Sequence, residues 1–108
     1  MPNRLPAHRL SVVVPMYNEV ELAADLIDAV QSALSDYPWP WELVIVDDGS
    51  TDGTAALVER AAARDGRIRL NRLPGNRGKG GAVRSGMLAA TGDYRFYVDA
   101  DMNIAPSH

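Results

Sequence analysis

Four short apolar runs constrain this chain most, because each stops abruptly and each is separated from the next by a longer stretch with helical periodicity. They are Leu10-Ser11-Val12-Val13-Val14, Trp41 to Val46, Ile68 to Leu73 and Tyr94 to Val98. Valine- and isoleucine-rich runs of this length suit strands buried on both faces. After the first, which Pro15 is expected to stop, Leu22, Leu26, Ile27, Val30 and Leu34 recur at helical spacing, and Asn18 stands three residues before Glu21 as the expected cap. Tyr37-Pro38-Trp39-Pro40 breaks that helix, since proline can neither continue it nor donate to a ladder. The second helix presents Leu57, Val58, Ala61 and Ala62 as its buried stripe, with Asp52 or Thr51 as cap and Gly66 as stop. The third runs from Ala82 to Ala90, with Val83, Met87 and Ala90 on one face and Gly92 beyond its end.

This alternation is the pattern of right-handed crossovers around a parallel sheet. The expected class is α/β, a three-layer α/β/α arrangement with a mostly parallel sheet in the order 3-2-1-4. With 108 residues, 46% of them hydrophobic, one core and a single domain over 1–108 are expected. The net charge of -3 is spread along the chain and leaves no broad basic face, so nucleic acid is not an expected partner. The absence of cysteine excludes thiolate metal sites, disulfides and cysteine nucleophiles, and allows a reducing cytoplasmic setting. Met1 to Arg9 lacks the apolar core of a secretory signal and no segment approaches the roughly 18 apolar residues of a spanning helix, so a soluble chain is expected. His8 and His108 lie in the two tails and support neither a catalytic triad nor a zinc site, while Trp39 and Trp41 are expected to pack at the edge of the core.

Ligands of open parallel sheets bind beyond the carboxyl ends of the strands, where the winding reverses. The order 3-2-1-4 places the first and fourth strands side by side at that reversal. Pro15-Met16-Tyr17 then lies beside Asp99-Ala100-Asp101, with Asp47-Asp48 one strand further along the same rim. Two carboxylates separated by one residue suit Mg²⁺ or Mn²⁺, which take oxygen ligands and bind through one or two carboxylates plus substrate phosphates. One of them could instead take a hydroxyl. A calcium loop also begins Asp-x-Asp-x-Asn, but Ile104 stands where that loop needs glycine. Asp47-Asp48-Gly49-Ser50 serves in part as a strand-to-helix turn, yet two adjacent aspartates exceed what a cap needs. A carboxylate there could accept from a base imide or from ribose hydroxyls. Gly75-Asn76-Arg77-Gly78-Lys79-Gly80-Gly81 matches neither of the common phosphate-loop patterns, although backbone N–H groups, a helix start and Lys79 could meet an anion. A surface turn with solvated basic residues is the alternative. Tyr17 either stacks on a base or covers the sheet end.

Four segments in order resemble family 2 glycosyltransferases: Ser11 to Glu19, Val44 to Thr54, Asn76 to Arg84, and Asp99-Ala100-Asp101. Gly78 to Arg84 followed by Gly86-Met87 is similar to the polyprenyl-phosphate branch, the dolichyl-phosphate glucosyl- and mannosyltransferases. The resemblance implies the nucleotide-binding half of a GT-A fold and an inverting transfer of a hexose from a UDP- or GDP-linked donor to a lipid phosphate or another acceptor. By position it implies that Pro15, Tyr17 and Glu19 line a nucleoside pocket and that Asp48, with Asp47 beside it, meets the base. Lys79 and Arg84 would flank the nucleotide, Asp99 would lie near ribose or metal, and Asp101 would hold the Mg²⁺ or Mn²⁺. The family's acceptor site and catalytic base lie beyond Asp-x-Asp, where only Met102 to His108 follow, so a donor domain truncated after that motif is expected, at the cytoplasmic side or the inner face of a membrane. A nucleotide-binding or homo-oligomerising module without turnover is the competing expectation, favoured by open sheet edges. A receiver-like phosphoacceptor domain also carries acids at sheet ends, but a glycine-rich loop after Asp-Asp-Gly-Ser suits it poorly.

Overall fold

A computed structural model describes residues 8–100, and seven elements alternate in it. They are β1 Leu10–Met16, α1 Val20–Ala33, β2 Trp41–Asp47, α2 Thr54–Arg64, β3 Ile68–Arg72, α3 Gly78–Ala89 and β4 Tyr94–Tyr97. The strands form one sheet in the order β3-β2-β1-β4. All three pairings are parallel.

Side-chain alternation along the two central strands decides what each face of the sheet buries. Val12, Val14, Met16, Leu43 and Ile45 meet Ala23, Leu26, Ile27 and Val30 of α1 and Val58 and Ala61 of α2. Val13, Val44 and Val46 point the other way and meet Ala82 and Ala90. The helices thus divide two to one, with α1 and α2 on one face and α3 on the other. Two right-handed crossovers on the first face carry the chain outward from β1 to β3. The third, on the opposite face, returns it past β2 to the far side of β1 and creates the reversal between β1 and β4.

Several boundaries differ from expectation for identifiable reasons. Pro15 does not stop β1, which runs to Met16. Pairing with β4 ends at Val13–Tyr97, so the missing N–H of Pro15 faces the side on which the ladder has already run out. Asn18 does not cap α1; Glu19 takes the cap position without a side-chain hydrogen bond. Leu22 is 37% exposed, and Leu26, Ile27 and Val30 carry the burial instead. In α2, Val58 and Ala61 are buried with Leu57 and Ala62 packed against them, as the stripe requires, and the helix ends at Arg64 with Asp65 as its cap and Gly66 just beyond. Trp41 is buried, whereas Trp39 is 39% exposed and lies 4.4 Å from the ring of His8.

The third helix departs furthest. It begins at Gly78, inside the glycine-rich segment, and its buried line is Ala82, Gly86 and Ala90, with Val83 and Met87 only half-buried. The cause is close approach: a Cβ on Gly86 would stand 2.4 Å from Val13 Cγ1 and 2.7 Å from Val46 Cγ2. Replacing glycine by alanine in a helix is ordinarily favourable by about 1 kcal/mol. Here overpacking, at roughly 1–3 kcal/mol, outweighs it. Gly86→Ala should therefore lower the urea midpoint rather than raise it.

At the end of the sheet opposite the reversal, Glu42 is buried within a polar network. Its Oε2 accepts from Ser11 Oγ at 2.6 Å, from Thr91 N at 2.7 Å and from Thr91 Oγ1 at 3.1 Å, and Oε1 accepts from Arg69 at 2.5 Å. Burial alone would raise the pKa of Glu42, but the donors from Ser11, Thr91 and Arg69 together lower it to about 2. The folded pKa lies below the unfolded value near 4.5, so this stabilisation is complete above pH 4.5 and is lost as pH falls toward 2. It amounts to roughly 3 kcal/mol. Glu42→Gln should lose stability of that order at pH 7 and flatten the acid limb of stability between pH 4.5 and 2 in urea titrations.

Candidate functional site

The loops after β1 and β2 are built as one unit. Asn18 adopts a left-handed conformation, φ 51°, which asparagine tolerates better than most residues. Its N–H donates to Ser50 Oγ at 2.8 Å and its Oδ1 accepts from Thr51 N at 2.8 Å. Glu19 N donates to Thr54 Oγ1 at 3.1 Å and Val20 N to Asp52 Oδ2 at 3.2 Å. The start of α1 is therefore capped from the neighbouring loop instead of by its own residues. Asp52 also accepts from Thr54 through backbone N–H at 3.0 Å and hydroxyl at 2.6 Å, and the hydroxyl bond above all holds its carboxyl below the ordinary range. Glu19 turns back so that Oε1 accepts from Tyr17 N at 3.2 Å.

The adjacent aspartates at the end of β2 behave differently. Asp47 is fully buried. Its Oδ1 accepts from Ser50 N at 3.2 Å, while Oδ2 has no hydrogen-bond partner among the described residues. Arg72 Nε stands 3.5 Å from Oδ2, near enough to offset its charge without hydrogen-bond geometry. Asp48 clamps the glycine-rich segment: Oδ1 accepts from Arg77 N at 2.7 Å and Oδ2 from Gly78 N at 2.8 Å. Gly49, at φ 89°, lets the two segments touch, since a Cβ there would stand 3.1 Å from Asn76 N.

On the other side of the reversal, Lys79 Nζ lies 2.7 Å from Asp99 Oδ1. Tyr97 Oη donates to the same oxygen at 2.6 Å, and the ammonium stands 5.7 Å from the Tyr97 ring centroid. The hydrogen bond to Asp99 raises the pKa of Lys79, and the donors from Lys79 and then Tyr97 lower that of Asp99.

Between these walls lies a cleft of about 170 Å³. It gathers Pro15, Tyr17, Glu19, Asp48, Lys79 and Asp99, all expected at one site, and Met16, Ala82 and Ala100 complete its lining. Asp47 lies beneath the surface rather than in the cleft, and Arg84 is exposed on α3 away from it. Asp101 falls outside the described residues. Tyr97 was not singled out for this site, although its position two residues before Asp99 was the available signal, because strand residues spaced by two share a face. Ser50 and Thr54 were missed because their partners lie more than thirty residues away.

The donor set here is oxygen-only. Among the described residues no group of three histidine, cysteine or acidic side chains stands ready for a metal ion. Asp99, 39% exposed at the mouth of the cleft, nevertheless suits Mg²⁺ or Mn²⁺, which take one or two carboxylates and complete their shell with phosphate oxygens and water.

A parallel sheet wound both ways, with acidic loops meeting at the reversal, defines an open α/β fold, the class in which the crevice beyond the strand ends is the general ligand position. Residues 11–108 match the family described as glycosyl transferase family 2, and the chain belongs to it. It is 44% identical over 99 residues to a dolichyl-phosphate beta-glucosyltransferase of Dictyostelium discoideum, a match covering 85% of this chain and 30% of the relative. The mannosyltransferase PcManGT from Pyrobaculum calidifontis, solved with GDP-Man and Mn2+, superposes with a TM-score of 0.75 at 33% identity, covering 89% of this chain and 28% of that one. TarS 1-349 of S. aureus, solved with UDP, gives 0.74 at 29% identity, covering 86% and 27%. The fold is GT-A, and the chain spans about 30% of the length of the curated relatives it matches.

The clamp by Asp48 can be tested without any ligand. Asp48→Ala leaves the exposed Arg77 N–H without its carboxylate, whereas the Gly78 N–H keeps Asn76 Oδ1 as an acceptor at 2.9 Å. Hydrogen exchange at Arg77 should accelerate about tenfold and at Gly78 by less, while core amides of β1 and β2 follow only the global change.

Proposed function

We propose that this chain is the donor-binding part of an inverting glycosyltransferase that moves a hexose from a UDP- or GDP-linked sugar to a polyprenyl phosphate. The observation that carries the reading is the convergence of Tyr17, Asp48, Lys79 and Asp99, from four separate segments, on one cleft. In this reading the Tyr17 ring, 46% exposed, lies against the base. Each Asp48 oxygen keeps a second lone pair beyond the one committed to the glycine-rich segment, which leaves room for a base N–H. Lys79 faces the diphosphate. Asp99, with Asp101 by its place in the sequence, would hold Mg²⁺ or Mn²⁺, which when bound offsets charge on the departing diphosphate.

The acceptor oxygen forms its bond to the anomeric carbon from the face opposite the diphosphate, and the carbon–oxygen bond to the diphosphate breaks with its electron pair leaving on the nucleotide. A phosphate oxygen is already ionised, so positioning matters more than proton removal. Support for the lipid acceptor comes from the dolichyl-phosphate relatives, and for the two donor bases from neighbours solved with GDP-Man and with UDP. A lipid phosphate would bring the protein to the cytoplasmic face of a membrane. No described helix is long and apolar enough to cross one.

A second reading is nucleotide binding without turnover, since every residue placed in the cleft is assigned to the nucleotide or its cation and none to an acceptor. Calorimetric titration with UDP, GDP, UDP-glucose and GDP-mannose, with and without Mn²⁺, distinguishes the outcomes. One nucleotide should bind in a Mn²⁺-dependent manner, and Asp99→Ala should weaken it by about tenfold or more, the loss expected when a charged hydrogen-bonding group is removed. Binding without sugar transfer to a polyprenyl phosphate would favour the second reading, and no binding by any of the four would end both.

A further inference from the structure

Lys79 stands against the carboxylate that a divalent cation would need. Lys79 Nζ and Tyr97 Oη both sit on Oδ1 of Asp99, at 2.7 and 2.6 Å, within the cleft that also holds Asp48 and Tyr17. Lys79 is 58% exposed and lies between Gly78 and Gly80 in the first turn of α3. Its ammonium is therefore hydrated and free to swing, and an exposed pair of this kind holds its partner by only a few-fold. A divalent ion carries twice the charge and competes well for the same carboxylate.

We infer that Lys79 is a built-in stand-in for the divalent cation at Asp99, holding the carboxylate until the cation arrives and then yielding it, so that the displaced ammonium turns to the anionic ligand. The inference rests on the donor-site reading for its second half. The exchange couples the two ligands. Without an anion in the cleft, the cation must displace Lys79 or bind the same carboxylate beside it, in either case close to a like charge. With a diphosphate present, Lys79 has a new partner, and cation and nucleotide favour each other to the same degree.

The test measures free Mn²⁺ by electron paramagnetic resonance during titration of the wild type, Lys79→Met, Lys79→Arg and Asp99→Asn, with and without UDP or GDP. Without nucleotide, Lys79→Met should bind Mn²⁺ about three- to tenfold more tightly than wild type. Lys79→Arg, which keeps the charge, should resemble wild type, and Asp99→Asn should abolish the site. With Mn²⁺ saturating, the nucleotide should bind Lys79→Met about tenfold more weakly. Unchanged or weaker Mn²⁺ binding by Lys79→Met overturns the inference, as does Mn²⁺ binding that Asp99→Asn leaves intact or the absence of Mn²⁺ binding altogether. Tightened Mn²⁺ binding with no nucleotide bound by any form would uphold the competition for Asp99 and sink the donor-site reading instead.

Discussion

Backbone N–H groups are left over wherever a strand turns into a helix, and they must find acceptors. In this protein the segment from Asp47 to Thr54 supplies them for both neighbouring loops. Asp52 and Thr54 receive Val20 and Glu19 on one side, and Asp48 receives Arg77 and Gly78 on the other. Carboxylates accept such bonds more strongly than neutral oxygens do. The three loops consequently behave as one rim, and the cleft between β1 and β4 has a fixed wall on the β2 side.

The opposite end of the sheet uses the same device for a different purpose. Glu42 gathers donors from β1, β3 and the segment after α3, and so ties the return of the chain toward β4 to the central strands. Between the two ends, α3 lies against Val13 and Val46 at a distance that only Gly86 permits. The burial of β1 and β2 along their whole length follows from helices on both faces, whereas β4, at the edge of the sheet, is exposed at every residue. The contrast places rigidity at the centre and leaves the Lys79–Asp99 side of the cleft solvated.

That asymmetry bears on function. Asp48 is held by two backbone donors and is buried, while Asp99 is held by one exposed ammonium and one phenol and is partly exposed. A group fixed by backbone suits recognition of a shape that does not change. A group held by an exposed ion pair suits exchange of one cation for another, because little is lost when such a pair opens.

The strand–helix alternation, the parallel class and the order 3-2-1-4 followed from the sequence alone, because period-two and period-3.6 burial are written in the spacing of Val, Ile, Leu and Ala, and crossover handedness leaves few topologies. So did the meeting of Pro15, Tyr17, Asp48 and Asp99, since strand ends next to a winding reversal must share a rim, whereas Glu19 and Lys79 were expected there only through the family resemblance. Helix boundaries were less accessible: Asn18 fits a cap motif locally, yet the acceptors for α1 come from residues more than thirty positions away. Only the tertiary structure decided that Asp48 spends an oxygen on each of two glycine-segment amides, that Asp47 lies beneath the cleft and Arg84 outside it, and that Lys79 rests on Asp99. Those outcomes depend on distances of a few tenths of an ångström between segments far apart in the chain, and hydrogen bonds and close packing, unlike hydrophobic periodicity, leave no repeating trace in the order of residues.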